Sequence, residues 1–381
     1  MFVGVGGFKT NPKIRKYVLD VLDTERLSYG PYVSRFEKEF AMLHQCTYGV
    51  MCNSGTSALQ VGLQALKIKH SWKDGDEVIL PATTFIATAN IVRYNNMTPV
   101  FVDVEPDYFG INTELIEEKI TDRTRCIIPV HLFGMPCQMD LVMAIARKHK
   151  LKVIEDSCET MFAKFDNQFV GSIGDIGCFS TYVAHILTTG VGGLITTSNP
   201  EYAVLLRSLI NHGRDSIYIS VDDGKGKTPE HLKEIIERRY SFVHSGHSFR
   251  TTELEGALGL AQLEDWQSNI SNRQKNASFL NQYLKEFEEY LQLPNIRPLA
   301  DHVFMMYPLM LKNKSKKGLC EYLENLGVET RDMLPLVNQS LYKEEFSNSE
   351  KDYPVSKRIV ENGFYIGSHP NLTPEMLDYI V

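Results

Sequence analysis

Three segments of the chain combine residue types that can do chemistry with positions that a ligand can reach. Asp156 ends the apolar run at residues 153–156, Ser180 ends another apolar run, and His185 comes just before the glycine-rich turn at residues 190–193. Glycines let the backbone approach a ligand closely. A carboxylate can hold a cationic group, and an imidazole takes up and releases protons near neutral pH. We therefore predict a cofactor site built from these segments.

The start of a predicted helix offers a place for an anionic group. Gly55, Thr56 and Ser57 lie in a turn that precedes an apolar helical pattern. Backbone N–H groups and the helix dipole favour an anion such as phosphate at such a position. Taken alone, this turn is better explained by an ordinary capped helix, and only further sequence blocks can favour a phosphate site.

Ordered sequence blocks extend the pattern over most of the chain. They occupy residues 30–37, 53–59, 81–85, 101–104, 131–134, 155–159, 180–193, 211–214 and 250–254. In this order and spacing they resemble the DegT/StrS-type nucleotide-sugar aminotransferases, which are fold-type I enzymes dependent on pyridoxal 5'-phosphate (PLP). The set of blocks is far more specific than any one of them alone.

The resemblance implies roles around the cofactor ring. Asp156 would pair with the protonated ring nitrogen, which must keep its proton for the ring to accept electrons. Glu159 would contact the ring hydroxyl, and Phe85 would stack on the ring face. An aromatic residue after a strand is equally often part of the core, and for Phe85 this alternative stays open.

The resemblance also implies how the cofactor phosphate is held. Gly55, Thr56, Ser57 and Ser180 would bind it within one subunit. Ser248 stands where the family has an asparagine that reaches the phosphate of the neighbouring subunit, and a serine has a shorter reach. The implied assembly is a homodimer.

His185 stands where the family has the lysine that bonds covalently to PLP and moves the proton. An imidazole cannot form that bond, so PLP or pyridoxamine 5'-phosphate (PMP) would be held noncovalently, with His185 as the catalytic base. The chain thereby resembles the family's histidine-containing sugar 3-dehydratases, and residues 362–369 resemble the tail of the GDP-4-keto-6-deoxymannose 3-dehydratases. The implied substrate is a nucleotide-linked 4-keto-6-deoxy sugar, which loses its C3 hydroxyl, with L-glutamate as amino donor.

Two other functions stay open. The chain could be a sugar aminotransferase in which His185 is an engineered change or another amine assists. It could also be a noncatalytic, cofactor-binding relative, although such a protein has no need for the apparently complete set of Asp156, Glu159 and Ser180. Val191 and Ser248 depart from the family pattern, so the nucleotide and the sugar are not fixed.

Alternating strand and helix patterns predict an α/β fold with a mainly parallel sheet. Short apolar runs predict strands at residues 49–52, 78–80, 98–102, 126–130 and 152–155. We expect a large PLP/PMP-binding domain at residues 1–265, followed by a connecting helix and a smaller α+β domain at residues 266–381. Ligands of such sheets gather at strand ends and helix starts.

Composition narrows the function classes. Forty basic and 47 acidic residues give a net charge of -7, and the absence of a concentrated basic tract argues against nucleic-acid binding. The sequence has neither an apolar stretch of about 18 residues nor a signal core, which predicts a cytoplasmic protein with no membrane partner. Seven scattered cysteines without zinc-ligand spacing predict neither a disulfide framework nor a metal site.

Overall fold

A seven-stranded sheet organises the first two thirds of the chain in the computed structural model, which describes residues 1–215, 226–334, 336, 338–345 and 349–381. The strands of this region are β1 (Tyr48–Cys52), β2 (Glu77–Pro81), β3 (Thr98–Val102), β4 (Thr124–Ile127), β5 (Lys152–Asp156), β6 (Lys164–Phe165), β7 (Gln168–Phe169), β8 (Ile176–Ser180) and β9 (Gly193–Thr197). The order in the sheet is β1-β9-β8-β5-β4-β2-β3, and β6 and β7 form a separate hairpin.

The sheet is mainly parallel, as predicted. Neighbouring strands from β3 through β2, β4 and β5 to β8 are parallel, whereas β9 is antiparallel to both β8 and β1. All strands except β9 therefore run in one direction, and their carboxyl ends lie at one edge.

Helices cover the sheet and connect its strands. They are α1 (Pro12–Asp23), α2 (Pro31–Leu43), α3 (Gly55–His70), α4 (Ile86–Tyr94), α5 (Met139–His149), α6 (Pro200–Leu209), α7 (Pro229–Arg238), α8 (Glu253–Leu263) and α9 (Trp266–Leu284). Helix α3 begins at Gly55 because the Ser54 side chain accepts a hydrogen bond from the Ser57 N–H and so caps the helix. Nearly all of its first twelve residues are buried, which places this helix in the core beside the sheet.

The C-terminal part of the chain has a sheet of its own. Its strands are β10 (Leu291–Gln292), β11 (Met306–Leu311), β12 (Arg331–Asp332) and β13 (Gly363–Gly367), and they are antiparallel in the order β10-β11-β13-β12. Its helices are α10 (Lys317–Asn325), α11 (Ser340–Glu345), α12 (Ser349–Asp352), α13 (Pro354–Asn362) and α14 (Pro374–Ile380). None of the described helices is both long and apolar enough to cross a lipid bilayer.

The predicted strands are confirmed, with differences at their ends. The strand predicted at residues 126–130 runs from Thr124 to Ile127, since Pro129, which has no N–H group, interrupts the ladder before an isolated bridge of Val130 to Asp156. The sequence pattern also predicts a single helix at residues 254–266. In the structure α8 ends at Leu263, and Trp266 begins α9, where its ring stacks on Phe162 at 4.7 Å between centroids.

Two of the sequence blocks meet through a single carboxylate. Glu253, fully buried at the start of α8, accepts hydrogen bonds from the N–H groups of Gly30, Tyr32 and Val33 at 2.9, 2.8 and 3.3 Å. These N–H groups belong to the first turn of α2 and have no partner inside that helix. Gly30 is required because a Cβ atom there would come within 2.6 Å of the carboxylate.

Glu253→Ala is expected to lower the free energy of unfolding by about 3–5 kcal/mol, since it leaves buried donors without an acceptor. Glu255→Ala on the same helix removes an exposed capping contact to the Thr252 N–H and should cost only about 1 kcal/mol. Urea unfolding curves of both variants measure the difference, and equal losses would contradict the bracing role of Glu253.

Candidate active site

A cavity of about 380 Å³ opens at the edge where the parallel strands end. Asp156 is the last residue of β5 and Ser180 is the last residue of β8, and helix α3 starts just beyond β1. The wall includes Ser54, Gly55, Thr56, Thr84, Phe85, Thr88, Asp156, Cys158, Glu159, Ser180, Tyr182, Ala184, His185, Met305, Met306, Leu334 and Tyr365. Open α/β sheets bind ligands at this edge.

Asp156 faces the cavity as a buried carboxylate that is only 4% exposed. Its oxygens accept hydrogen bonds from the Thr88 hydroxyl at 2.8 Å and from the Cys158 N–H at 3.2 Å. Burial raises the pKa of Asp156 above its ordinary value, while the hydrogen bonds from Thr88 and Cys158 and the nearby charge of His131 oppose the rise. A cationic group in the cavity would stabilise its ionised form.

Glu159 lies on the same wall, three residues along the chain. Burial raises its pKa to about 7, and the negative charge of Asp156 adds to the effect, while a hydrogen bond from the Phe133 N–H at 3.0 Å opposes it. A carboxyl group with this pKa is close to half protonated at neutral pH. It can therefore either donate a hydrogen bond to a ligand oxygen or accept one from a hydroxyl.

A narrow cradle forms where α3 meets β8 and β9. A Cβ atom placed on Gly55 would come within 2.7 Å of the Ser180 Cβ and 2.8 Å of the Cys158 Sγ. At Gly193, the first residue of β9, a Cβ atom would come within 2.2 Å of the Ser54 carbonyl oxygen. The two glycines keep the start of the helix open toward the cavity, where its N–H groups favour an anion.

His185 lies in the loop between β8 and β9, and this half-buried residue lines the cavity. Side chains of α8 and α9 hold this loop through backbone groups. Gln262 donates to the Thr188 carbonyl oxygen at 2.6 Å, and Asn269 donates to the Ile186 carbonyl oxygen at 2.8 Å. The loop is therefore held just after the predicted base, at residues 186 and 188.

The charge state of His185 follows from its surroundings. Burial, with a smaller contribution from the positive charge of Arg273, lowers the pKa of His185 to about 4. The imidazole is therefore neutral at pH 7 and can accept a proton. Its Nδ1 atom is buried and bonds to no described residue.

The other predicted site residues differ in whether they line the cavity. Gly55, Thr56 and Ser180 line the cavity, and so does Phe85, which is 57% exposed and therefore not a core residue. Ser57 is not part of the wall, and its hydroxyl bonds to Ser54 at 2.9 Å. Its contact with a phosphate stays a prediction.

Ser248 lies outside the cavity, on a segment that bridges to Asn211. Arg250 donates to both residues at 3.0 Å. This exposed position leaves Ser248 free for contact with another subunit, and that contact also stays a prediction.

Several wall residues were not expected. Thr84 and Thr88 bond to each other at 2.9 Å, and their spacing of four residues around a predicted helix start is a signal for a shared face. Met305, Met306 and Tyr365 come from the C-terminal sheet and its approach, which no local pattern connects to the strand ends.

Cys158 lines the cavity, but burial raises its pKa well above the ordinary value. Its thiol therefore stays protonated at neutral pH and is a poor nucleophile.

These residues fit a PLP-type cofactor on the evidence of their own geometry. The buried Asp156 carboxylate faces the cavity and forms no ion pair with a described lysine or arginine, which suits a protonated ring nitrogen. Gly55 opens a helix start that can take a phosphate, and Phe85 offers an exposed aromatic face beside it. Glu159 can bond to a ring hydroxyl.

The fold and the cavity define a PLP-dependent enzyme of fold type I. The chain belongs to the DegT/DnrJ/EryC1/StrS aminotransferase family, whose family model matches residues 9–381. This confirms the resemblance of the sequence blocks, and the cofactor is PLP in its aldehyde or amine form.

Among the relatives, the chain is 33% identical to GDP-perosamine synthase of Caulobacter vibrioides, covering 96% of this chain and 93% of the relative. It is 29% identical to GDP-4-keto-6-deoxy-D-mannose 3-dehydratase of Escherichia coli O55:H7, covering 96% and 95%. The solved structure of the E. coli GDP-4-keto-6-deoxy-D-mannose-3-dehydratase with bound hydrated PLP matches with a TM-score of 0.87 at 26% identity, covering 100% of this chain and 99% of that one. The relatives thus include both aminotransferases and 3-dehydratases of nucleotide sugars.

Proposed function

We propose that this protein is a PMP/PLP-dependent 3-dehydratase of a nucleotide-linked 4-keto-6-deoxy sugar, with His185 as its base. The observation that carries the proposal is the composition of the cavity wall. None of the described residues that line the cavity is a lysine, and His185 occupies the loop that leads into β9. A cofactor held by this wall has no lysine to bond to, so it would be bound noncovalently.

The charge state of His185 supports its role as base. With a pKa lowered to about 4 by burial, the imidazole has an open proton-accepting site throughout the neutral range. When bound, the cofactor supplies an amine that joins the sugar ketone and a ring that accepts an electron pair. His185 would take up a proton that the cofactor releases when it is joined to the sugar. It would return this proton to the departing C3 hydroxyl, which leaves as water.

Other residues of the cavity would hold and orient the ligands. Asp156 would keep the cofactor ring protonated, Glu159 would bond to its ring hydroxyl, and Phe85 would cover one ring face. Ser180 and the helix start at Gly55 would hold its phosphate. In a homodimer, Ser248 of each subunit would approach the phosphate bound by the other, and L-glutamate would regenerate the amine form.

The proposal is tested by the fate of the cofactor and of the sugar. We expect PLP to be removed by dialysis, and borohydride to leave no PLP-derived mass adduct on the chain. His185→Lys is the matched control, because it supplies the missing amine and should give an adduct at residue 185. With PLP, excess L-glutamate and GDP-, CDP-, dTDP- or UDP-linked 4-keto-6-deoxy sugars, mass spectrometry should detect loss of the C3 oxygen from one substrate.

An aminotransferase is the second candidate, favoured by the 33% identity to GDP-perosamine synthase. In that case the unmodified chain would give a stable amino sugar that retains its C3 oxygen, and the dehydratase proposal would be wrong. Specific PMP binding without any sugar product across the panel would instead indicate a noncatalytic protein.

A further inference from the structure

A buried arginine lies directly behind the proposed base. Arg273 on α9 is 3% exposed, yet it forms no ion pair with any carboxylate in the part of the chain that is described. Its guanidinium donates only to neutral oxygens: the Met305 carbonyl at 2.7 Å, the Asn269 side chain at 2.9 Å and the His185 carbonyl at 3.4 Å. Burying a cation without a countercharge is costly, which demands a compensating role.

The contacts of Arg273 join the parts of the chain that form the base and its surroundings. One arm reaches the backbone of His185 itself, and another reaches Met305 on the cavity wall. The backbone carbonyl of Arg273 also accepts a hydrogen bond from Ser368, next to His369 in the C-terminal tail. A shift of Arg273 would therefore move both the base and the wall that it faces.

The charge of Arg273 acts on the two histidines beside it. The pKa values of His185 and His369 are both lowered to about 4, by burial first and then by the guanidinium. The other titratable side chains on the cavity wall are Asp156, Cys158, Glu159, Tyr182 and Tyr365. None of these five carries a positive charge, so among the described residues Arg273 supplies the cation that opposes protonation of His185.

We propose that Arg273 is a positioning residue for the base: its guanidinium fixes the backbone of His185 and keeps the imidazole in its neutral, proton-accepting form. The inference rests on the proposed function of His185 as base. A carboxylate partner for Arg273 would cancel the field at the imidazole, so bonding to neutral oxygens preserves the effect. The role is separable into a geometric part, the carbonyl contact, and an electrostatic part, the charge.

Three variants separate these parts. Arg273→Lys keeps the positive charge but loses the planar guanidinium with its several donors. Arg273→Met keeps a similar apolar volume but loses both the charge and the donors. Gln262→Ala loosens the same loop at Thr188 without changing any charge. If Arg273 had only a structural role, the pKa of His185 would be the same in all three variants.

The test is an NMR titration of the histidines in the cofactor-free protein, labelled with ¹³C on its imidazole rings. The His185→Asn spectrum identifies the His185 signal. We expect a His185 pKa below about 5 in the unmodified protein and in Gln262→Ala, a similar value in Arg273→Lys, and a rise of about one pH unit in Arg273→Met. In enzyme assays the acidic limb of the pH–rate profile should move by the same amount in Arg273→Met.

An unchanged His185 titration in folded Arg273→Met would overturn the inference, and so would a rise of the same size in Gln262→Ala. If Arg273→Met does not fold, Arg273→Gln removes the charge while keeping a planar hydrogen-bonding group, and an unchanged His185 titration in that variant would overturn the inference. These titrations need no turnover, so they stand apart from the sugar assay that tests the dehydratase proposal.

Discussion

His185→Asn is expected to reduce sugar dehydration by about a hundred- to ten-thousand-fold while leaving PMP and the nucleotide sugar bound. The asparagine amide can fill much of the imidazole space and form hydrogen bonds, but it has no useful basicity. The anchors of the loop bond to backbone carbonyls at residues 185, 186 and 188, so the substitution leaves them in place. Single-turnover kinetics with PMP-loaded protein measure the chemical step directly.

His70→Asn is the matched control, since His70 is exposed at the end of α3 and bonds to Tyr202 away from the cavity. Its turnover should equal that of the unmodified protein. Full activity in His185→Asn would eliminate His185 as the base. Lost PMP binding in that variant would instead show that the residue mainly holds the cofactor.

Asp156→Asn is expected to weaken PLP and PMP binding by about a hundredfold or more, and to slow turnover further. Breaking a buried ion pair from one side costs about 3–5 kcal/mol, and each 1.4 kcal/mol is a factor of ten in affinity. The neutral amide can keep hydrogen bonds to Thr88 and to the Cys158 N–H, so the local fold should persist. Fluorescence titration with PLP measures the affinity.

Asp103→Asn controls for the loss of a buried carboxylate elsewhere. Asp103 is 5% exposed and accepts bonds from Val355 and Ser356, outside the cavity wall. That variant should lose stability but keep its PLP affinity. Equal PLP affinity in Asp156→Asn and the unmodified protein would contradict the pairing of Asp156 with the ring nitrogen.

The parts of the site encoded by short segments were predictable from sequence. Asp156 and Ser180 end apolar strands, and parallel strands bring their carboxyl ends to one edge, so a local pattern was enough to bring them together. Gly55 was predictable for a similar reason, since a helix start after β1 must lie at that same edge. The strands themselves followed from short apolar runs.

The remaining parts depend on contacts between distant segments. Met305 and Tyr365 reach the cavity only because the second sheet packs beside the first, and no sequence period records that placement. The Ser57 hydroxyl forms a hydrogen bond with Ser54 rather than facing the cavity. Residue types alone do not show which partner such a hydroxyl takes. Arg273 lies in the expected connecting helix, and no local pattern marks it as a buried residue that contacts the loop of His185.

The anchors of the histidine loop have a consequence for how such an enzyme can evolve. The loop is held by hydrogen bonds to its backbone carbonyl oxygens from Gln262, Asn269 and Arg273. Every amino acid has such an oxygen, so these hydrogen bonds do not depend on the side chain at position 185. A substitution at position 185 can therefore replace one reactive side chain with another while the hydrogen bonds that position the loop stay in place. Chemistry at this position is thereby free to diverge, and a single framework can give rise to both amine-transferring and water-eliminating descendants.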